Sequence, residues 1–441
     1  MGRASLPPVL TGFALTTRVH IVGAGLSGLS CAVHLAESGH RVALYEAAGQ
    51  AGGRCRSYFD AQLGATIDNG NHLLFSANHA ALEYLRMIGA GDSLIGPARA
   101  RFPFFDLRSG AHWIVEPGAG RIPWWILSKA RRIPGTGIGD YLAGLRLAWA
   151  GPDARVGDCL NAGDPLWERF WEPLTVAALN TAPREASARL LWRVLRDSFG
   201  QGEAACRPLI ARDGLASSLV DPALAYLEAQ GAEIHFNHRL RGLGFSGDRA
   251  ARLDFGGPDV DLEPGDMLVV ALPPAGAVAA LPGLEGPQDT RPIVNAHIKL
   301  PRPPLDTALK ARLGLDATLP ILGLTGGTAQ WLFIRGTMVS LTVSAAEAEV
   351  DRDNEALSRI LWAETAQALA LPPEPVPPIR IIKERRATFA QTPAALRLRP
   401  PAETRWPNVV LAGDWTDTCY PATIEGAIRS GRTAAVIITK K

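Results

Sequence analysis

A glycine-rich turn between a strand and a helix constrains the fold of this chain more than any other feature of its sequence. Residues 18–22, RVHIV, form a short apolar run rich in β-branched residues, which predicts a strand. LSGLSCAVHLAESG follows with the spacing of a helix that ends at Gly39, and RVALYE predicts the next strand. The order strand, helix, strand predicts a βαβ unit whose two strands are parallel.

Three glycines at this turn have the spacing of a dinucleotide-binding motif. GxGxxG lies directly after the strand and at the start of the helix, and this context gives the pattern its value. The first glycine permits a tight turn, the second lets the backbone approach a pyrophosphate, and the third lets helix and strand pack closely. The helix N-terminus faces the phosphate charge. The predicted phosphate-binding residues are Gly23, Ala24, Gly25, Leu26, Ser27 and Gly28.

An acid and a second glycine pair extend this prediction. Glu46 ends the second strand, 18 residues after Gly28, and its carboxylate suits a ribose with free hydroxyls. Gly52 and Gly53 allow another close approach of the backbone, and Arg54 can meet a phosphate. A glycine-rich turn without a ligand is the competing interpretation, and the strand, helix and acid together count against it.

The C-terminal segment carries a second candidate contact with the same ligand. In LAGDWTD, Gly413 permits close approach, and Asp414 can accept a hydrogen bond from a ribityl hydroxyl or order water at the pyrophosphate. The helix TIEGAIRSGRTAAVII, starting at Thr423 and Ile424, brings further free N–H groups to the ligand.

These motifs together resemble the FAD-dependent amine oxidase and phytoene desaturase superfamily, from about residue 18 onward. GxGxxG with Glu46, the GGR at 52–54 and the GD before TIEGAIRSG carry the resemblance. It implies an extended FAD, with adenine near the first motif and near Leu240, and with the flavin ring beside the last helix. NAD as the tightly held cofactor is the alternative.

Three longer stretches are similar to one branch of that superfamily. LYEAAGQAGGRCRSYFD, IDNGNHLLFSAN and LAGDWTDTCYPATIEGAIRSGRTAA resemble the hydroxysqualene dehydroxylases, flavoproteins of bacterial hopanoid synthesis. The resemblance implies an FAD-dependent oxidoreductase that reductively removes the allylic hydroxyl of hydroxysqualene to give squalene. Protonation lets water leave, and hydride from N5 of the reduced flavin takes its place. The sequence does not define the electron donor for the flavin.

Other activities on the same fold stay open at this point. A carotenoid-type desaturase also takes a long isoprenoid, and a non-enzymatic FAD-binding protein is an alternative of a different class. An amine oxidase would place an aromatic residue directly before the EGA helix start. This chain has Ala422, Thr423 and Ile424 there, with Tyr420 further back, which counts against amine oxidation.

A strand in the second half, VNAHIKL, bears on the same question. Alternation puts Asn295, His297 and Lys299 on one face and apolar residues on the other. The resemblance to amine oxidases makes Lys299 a candidate flavin contact, while a solvated face is the interpretation that we favour.

Polar residues crowd around one glycine in IDNGNHLLF, residues 67–75, and they are costly to bury without partners. The resemblance implies that this segment crosses between the two domains beside the flavin ring, with Gly70 close to the isoalloxazine. Asp68 is the first candidate for the proton donor. Capping of the turn is its competing role. The candidate catalytic residues are Asp68, Asn71, His72, Asp417 and Tyr420, with His297 and Lys299 behind them.

The α/β segments at the start, middle and end of the chain predict one discontinuous domain. The fold class is α/β, or mixed α+β, with a Rossmann-like FAD-binding domain and a substrate domain of mixed sheet and helices. The predicted divisions are an N-terminal tail at 1–17, FAD-binding segments at 18–75, 205–280 and 401–441, a helical, membrane-facing substrate region at 76–204, and a substrate-domain sheet with a helix at 281–400.

Composition excludes several classes of protein. The chain has 441 residues, of which 47% are hydrophobic and 20% charged, so it is globular, and its net charge of +2 gives no argument for nucleic-acid binding. Five cysteines without CxxC spacing form neither a metal nor a disulfide pattern, which favours a reducing cytoplasm. The N-terminus lacks the features of a signal peptide, and prolines break the apolar run Met267–Leu284, so we expect no membrane span there.

One stretch predicts contact with a membrane surface. RIPWWILSKARRIPG places Trp124 and Trp125 beside four basic residues, as in segments that bind the anionic inner face of a cytoplasmic membrane. A core helix with a solvated basic end is the competing interpretation. The preceding RFPFF belongs either to this surface or to the substrate tunnel.

Overall fold

The computed structural model describes residues 17–441, so the predicted tail at 1–17 lies outside the described residues except for Thr17. Within that range the strands are β1 (Arg18–Val22), β2 (Arg41–Tyr45), β3 (Ser57–Asp60), β4 (Ala65–Asp68), β5 (Leu74–Phe75), β6 (Leu94–Ile95), β7 (Phe102–Asp106), β8 (His112–Val115), β9 (Pro208–Ala211), β10 (Glu233–His235), β11 (Gly242–Ser246), β12 (Arg249–Asp254), β13 (Val260–Asp261), β14 (Met267–Val270), β15 (Thr290–Lys299), β16 (Ile321–Thr325), β17 (Trp331–Arg335), β18 (Met338–Ser344), β19 (Ile379–Phe389) and β20 (Val409–Leu411).

The α-helices of the same range are α1 (Leu26–Glu37), α2 (His79–Met87), α3 (Ile138–Leu142), α4 (Val156–Cys159), α5 (Glu172–Leu179), α6 (Ala188–Asp197), α7 (Leu215–Leu219), α8 (Asp221–Ala229), α9 (Pro274–Ala280), α10 (Thr307–Leu313), α11 (Asn354–Leu369), α12 (Pro393–Arg397) and α13 (Ile424–Thr439). Short 3-10 helices cover Gly53–Cys55, Trp124–Leu127, Ala143–Trp149, Phe199–Gln201 and Glu203–Ala205, and a π-helical turn covers Trp167–Trp171.

Strands from three distant parts of the chain form one five-stranded parallel sheet. Its order is β10-β2-β1-β14-β20, and every pair in it is parallel. The central strands are apolar and buried on both faces, as expected for a parallel sheet covered on both sides. Helices α1 and α13 cover one face, and the antiparallel sheet β11-β12-β13 packs on the other. The Rossmann-like fold predicted from the glycine turn is confirmed.

The contact between the first and last helices depends on small residues. A Cβ added at Gly431 of α13 would lie 2.2 Å from the carbonyl oxygen of Ser27 on α1. The Ser30 hydroxyl also donates a hydrogen bond to the carbonyl of Ile428. The C-terminal helix therefore lies directly on the helix of the glycine motif.

A seven-stranded mixed sheet forms the second layer, in the order β19-β15-β18-β17-β16-β7-β8. One face of β15 packs its apolar residues into a core with α11. Strands β7 and β8 come from residues 76–204, so our prediction of a largely helical region there is wrong in part. The apolar run FPFFD forms a strand that is buried at its first four residues and pairs with HWIV in β8.

The apolar run Met267–Leu284 divides into buried strand β14 and helix α9, as its prolines predict. In the part of the chain that the structure describes, no helix combines the length and the apolar content that crossing a membrane requires.

Candidate functional site

A cavity of about 1020 Å³ lies at the carboxyl ends of the parallel strands and continues into the second layer. Four residues at these strand ends line it: Val22 and Tyr45 end β1 and β2, Ala271 directly follows β14, and Gly413 comes two residues after β20. In open parallel sheets, ligands bind at this edge. The cavity has a polar arm along the glycine turn and an apolar arm beneath the mixed sheet.

The glycine turn has the geometry that its motif predicts. Gly23 has a φ of 108°, and a Cβ added at Gly28 would lie 1.9 Å from the carbonyl oxygen of Gly23, so protein atoms require both glycines. Gly25 differs, because its backbone is extended and a Cβ there would meet no protein atom within 4 Å. Gly25 lines the cavity. A glycine is needed there only if a group in the cavity approaches the backbone, which fits a pyrophosphate.

Glu46 holds the turn as well as facing the cavity. Its carboxylate accepts hydrogen bonds from the backbone N–H of Ala24 at 2.8 Å and of Ala48 at 2.9 Å. The N–H of Gly52 in turn donates to the carbonyl of Ala24 at 2.8 Å. Carboxylate oxygens accept more than one hydrogen bond each, so Glu46 can also receive ribose hydroxyls. Leu240 lines the same end of the cavity, where the resemblance implies adenine.

An ion pair joins the first and last segments of the site. Arg54 contacts the carboxylate of Asp414 at 2.7 Å, and Asp414 is buried. The Asp414 charge raises the pKa of the Arg54 guanidinium above its ordinary value. The N–H of Gly413 donates to the Ser430 hydroxyl at 2.9 Å. Both halves of the predicted dinucleotide site therefore face one space.

The N-terminus of α13 opens onto the same cavity. Thr423 caps this helix by accepting a hydrogen bond from the N–H of Gly426, and Thr423 and Ile424 line the cavity. Glu425, which sequence reasoning missed, is fully buried and accepts from the N–H groups of Ala80 and Ala81. The acid thus fixes the start of α2 against α13, and an isolated Glu in TIEGA gave no signal of that partner.

Asp68 lies beside the cavity, among the residues that hold the crossing segment. Its buried carboxylate accepts from the Ser57 hydroxyl at 2.6 Å and from the N–H of Leu215 at 2.8 Å. Arg335 approaches the other carboxylate oxygen at 3.5 Å. Asp68 is not among the residues that line the cavity. The geometry favours the competing, structural role for Asp68, and a proton-donor role stays a prediction.

Gly70, Asn71 and His72 line the cavity directly after Asp68. The Asn71 amide donates to the Thr342 hydroxyl at 3.1 Å, which ties the segment to β18. Burial lowers the pKa of His72 to about 4, so its imidazole is neutral near pH 7. A Cβ at Gly70 would lie 3.5 Å from Nε2 of His72. A Cβ at Gly70 would therefore meet protein atoms only at ordinary contact distance, so the protein itself does not require a glycine there.

The polar face of VNAHIKL is covered by this segment. His297 is buried and bonds the carbonyl of Asp68 at 3.0 Å and the Ser340 hydroxyl at 2.8 Å. Asn295 is also buried, donates to the carbonyl of Asn69 and lines the cavity. Our interpretation of a solvated face is therefore wrong, because residues 68–71 cross over it. Lys299 does not line the cavity.

The two C-terminal candidates lie in different environments. Asp417 is exposed, lies outside the cavity lining and accepts a hydrogen bond from the N–H of Cys419. Tyr420 is buried and lines the cavity, with the Arg429 guanidinium 4.2 Å and the Arg193 guanidinium 5.5 Å from its ring centre. Burial raises the pKa of Tyr420 to about 12, so the phenol stays protonated.

The apolar arm consists of side chains from four separate regions of the chain. Its aromatic and large aliphatic lining comprises Phe75, Phe102, Phe104, Val115, Phe170, Leu174, Val194, Phe199, Trp331 and Phe333. Edge-to-face contacts fix the rings, for example Phe75 on Phe102 at 6.0 Å between centroids. RFPFF was predicted to belong either to a membrane-facing surface or to the substrate tunnel, and its Phe102 and Phe104 line the cavity. The other aromatic residues of the lining gave no signal in the sequence.

Two further polar residues line the cavity that sequence reasoning missed. The Asn180 amide donates to the Thr388 hydroxyl at 3.0 Å. Glu384 accepts from the Asn69 amide at 3.2 Å. Their partners lie more than 200 residues away in sequence, which is why local patterns gave no signal of them.

Comparison with known proteins now adds to this geometry. A profile of the flavin containing amine oxidoreductase family matches residues 26–439. A hydroxysqualene dehydroxylase of Rhodopseudomonas palustris is 48% identical over 96% of this chain and 99% of its own length. One of Sinorhizobium fredii is 44% identical over 95% and 97%. The chain belongs to the hydroxysqualene dehydroxylase family. It is an FAD-dependent oxidoreductase of the flavin containing amine oxidoreductase group.

More distant proteins share the fold. A 15-cis-phytoene desaturase of Synechococcus elongatus is 24% identical over 96% of both chains. Cyclohexylamine oxidase from Brevibacterium oxydans superposes with a TM-score of 0.67 at 16% identity, over 96% of this chain and 99% of that one. A putrescine oxidase structure gives the same TM-score at 17% identity, with the same coverage. These likenesses confirm the fold. The FAD cofactor that the motifs predicted is confirmed by the match to the flavin containing amine oxidoreductase family.

Proposed function

We propose that this oxidoreductase removes the allylic hydroxyl of hydroxysqualene and gives squalene, as a step of hopanoid synthesis. The observation that carries the proposal is the near-full-length identity of 44–48% to relatives that bear the name hydroxysqualene dehydroxylase. The apolar arm of the cavity supports it, because a long hydrocarbon needs such a lining. The carbon–oxygen bond breaks, water leaves with one added proton, and a hydride forms the new carbon–hydrogen bond.

The residues of the polar arm would hold FAD. The glycine turn offers backbone N–H groups to the pyrophosphate, and Glu46 can accept from the ribose. Arg54 and Asp414 hold the two ends of the site together at 2.7 Å. Reduced FAD, when bound, supplies the hydride.

The apolar arm positions the substrate and excludes water. Its aromatic rings present negative faces, so Phe170 and Trp331 can stabilise positive charge that develops at the allylic carbon. Exclusion of water protects that carbon from recapture by a hydroxyl. The lining therefore does more than bind hydrocarbon.

We assign to Tyr420 the role of the acid that protonates the leaving hydroxyl. It lines the cavity, its phenol stays protonated, and two guanidinium groups beside its ring stabilise the phenolate that donation leaves. Neutral His72 and the Asn71 amide can orient the substrate oxygen from the other side of the junction. Asp68 and Asp417 are the competing donors, and neither lines the cavity.

The test starts with purified protein and its flavin absorption spectrum. Chemically reduced holoprotein, without oxygen, is incubated with hydroxysqualene, and squalene is measured by gas chromatography with mass spectrometry. Squalene in proportion to enzyme supports the proposal. A flavin-loaded protein that yields none, but desaturates phytoene in its oxidised form, contradicts it and favours the carotenoid-type activity of the 24% identical relative.

A matched pair of variants tests the donor. Tyr420→Phe keeps the ring against Arg429 and removes the hydroxyl, so we expect flavin content to hold and turnover to fall about 100-fold or more. Asp417→Asn is the control, because its side chain is exposed, and we expect turnover close to the wild type. Loss in the control alone would move the proton donor to Asp417.

The same proposal includes a peripheral contact with the inner face of the cytoplasmic membrane, since a long isoprenoid partitions into bilayers. The electron donor is either a nicotinamide or another reductant, and stopped-flow reduction of the bound flavin with NADH and NADPH distinguishes the two.

A further inference from the structure

Exposed apolar side chains concentrate on one face of the molecule. Ten large hydrophobic residues are exposed in the described part of the chain, and seven of them fall between residues 122 and 149. They are Ile122, Trp124, Leu127, Ile138, Leu142, Leu145 and Trp149. Trp149 is 79% and Trp124 66% exposed, values that a soluble surface rarely gives to indole rings. We call these seven residues the apolar face.

The apolar face is one ordered unit. The ring of Trp125, in the 3-10 helix Trp124–Leu127, meets the ring of Tyr141 in α3 edge-on at 5.2 Å. The Tyr141 hydroxyl accepts from the N–H of Ile133 at 2.8 Å, which fixes the loop between them. The 3-10 helix Ala143–Trp149 continues directly from α3. The exposed side chains therefore project from a braced support and not from separate loops.

The charged residues within the stretch that carries the apolar face are mostly basic. Arg121, Lys129, Arg131, Arg132 and Arg146 lie in residues 121–149, and Asp140 is the one acid of that stretch. Asp140 is occupied, since its carboxylate accepts from the N–H of Gly137. Apolar side chains rimmed by cations match the headgroups and acyl boundary of an anionic bilayer. A second copy of the chain would bring the same positive charge against it.

The apolar face also backs onto the apolar arm of the cavity. A Cβ at Gly144 would lie 2.5 Å from the Trp171 ring, and Trp171 packs on Phe170 at 4.9 Å. Phe170 lines the cavity. At the other end, Gly120 lies against Gly202, directly after the 3-10 helix that carries Phe199 of the lining.

We propose that the apolar face, Ile122 to Trp149, docks the protein on an anionic lipid bilayer and sets the apolar arm of the cavity against it. Apolar substrate would then pass between bilayer and cavity without crossing water. The docking stands on the surface alone, and only the delivery of hydroxysqualene rests on the proposed function.

Sedimentation of flavin-loaded protein with vesicles tests the docking. We expect binding to phosphatidylcholine vesicles that contain phosphatidylglycerol, and weaker binding to phosphatidylcholine alone. The triple variant Trp124→Ser, Leu142→Ser, Trp149→Ser should bind the anionic vesicles at least tenfold more weakly. Phe59→Ser is the matched control, because Phe59 is 69% exposed on β3, away from the face. Flavin content and thermal unfolding, unchanged in all variants, confirm that they fold.

A variant with fewer basic residues separates the contribution of the positive charges from that of the apolar side chains. Arg121→Gln with Lys129→Gln should weaken binding to anionic vesicles about fivefold per charge removed and leave binding to neutral vesicles unchanged. Equal vesicle binding by the triple variant and the wild type overturns the proposal. An equal loss of vesicle binding in Phe59→Ser would also overturn it. So would a wild type that does not bind vesicles but forms a dimer, if the triple variant is a monomer. Turnover in detergent reports separately on the proposed function.

Discussion

Two glycines of the same motif should respond to alanine in opposite ways. In Gly28→Ala the new Cβ would lie 1.9 Å from the carbonyl oxygen of Gly23, so α1 must move away from the turn. Overpacking of this kind costs about 1–3 kcal/mol of unfolding free energy. In Gly25→Ala the Cβ meets no protein atom, and the backbone is extended at a φ of −74°. Alanine is a poorer N-cap residue than glycine, which lowers the stability of the fold, but it also restricts the unfolded chain, which raises it. The two effects roughly cancel, so we expect the free energy of unfolding to change by less than about 1 kcal/mol.

Binding of FAD should reverse this order of severity. The Cβ of Gly25→Ala occupies the direction from which the pyrophosphate approaches, so we expect its Kd for FAD to rise at least about tenfold. Urea unfolding of the apoproteins and fluorescence titration with FAD give the two quantities separately. The apoprotein must be used for unfolding because bound FAD itself stabilises the fold.

One result would refute this reasoning. If Gly25→Ala binds FAD as tightly as the wild type, the cavity beside Gly25 is not the pyrophosphate site. Unfolding of the Gly25→Ala apoprotein at the urea concentration that unfolds Gly28→Ala would equally contradict the geometry.

Three more predictions follow from charged and polar groups. Asp68→Asn should lower the free energy of unfolding by about 1–3 kcal/mol, because its buried carboxylate has three partners, and leave turnover per bound flavin within about twofold; a hundredfold loss of turnover at unchanged stability would make it the proton donor. Arg54→Met should cost about 1 kcal/mol, since the arginine is nearly half exposed, and release flavin during gel filtration, whereas Arg54→Lys should retain more of it. Burial lowers the pKa of His72 from 6.5 to about 4, so between those pH values the unfolded apoprotein binds a proton at His72 that the folded one does not. The wild type should therefore lose stability as pH falls from about 6.5 to about 4, and His72→Gln should lose less of it over the same range, as measured by urea unfolding.

Local patterns in the sequence picked out residues that line the polar arm of the cavity, and their contact with FAD stays a prediction. GxGxxG and the GD before the last helix act through backbone geometry within a few residues, and Glu46 belongs to the same short βαβ unit as the glycines, so their roles can be deduced without knowing the rest of the fold. The pairing of Arg54 with Asp414 is different, because these residues are 360 positions apart and only the assembled sheet brings them together. Each was predicted as a ligand contact, and the ion pair between them was not.

Burial on the second layer could not be deduced in the same way. The alternation in VNAHIKL correctly separates two faces, but alternation does not say what covers the polar one. The cover is residues 68–71, more than 200 positions earlier, whose carbonyls accept from His297 and Asn295. The same holds for the apolar arm, since Phe170 and Trp331 reach one cavity only through the packing of elements that share no sequence pattern.

The segment IDNGNH is bonded to both halves of the molecule, which limits what its residues are free to do. Asp68 bonds the N-terminus of α7 in the first half, and Asn71 bonds Thr342 of the mixed sheet in the second. Gly70 lies between them and lines the cavity. The Asp68 carboxylate is thus already engaged by protein partners, and Asn71, whose amide N–H bonds the sheet, can orient a substrate oxygen but cannot protonate it. His72 and Tyr420, which face the same cavity without such ties, are the side chains left to act on a substrate oxygen, so chemistry and assembly should separate between these two sets of variants.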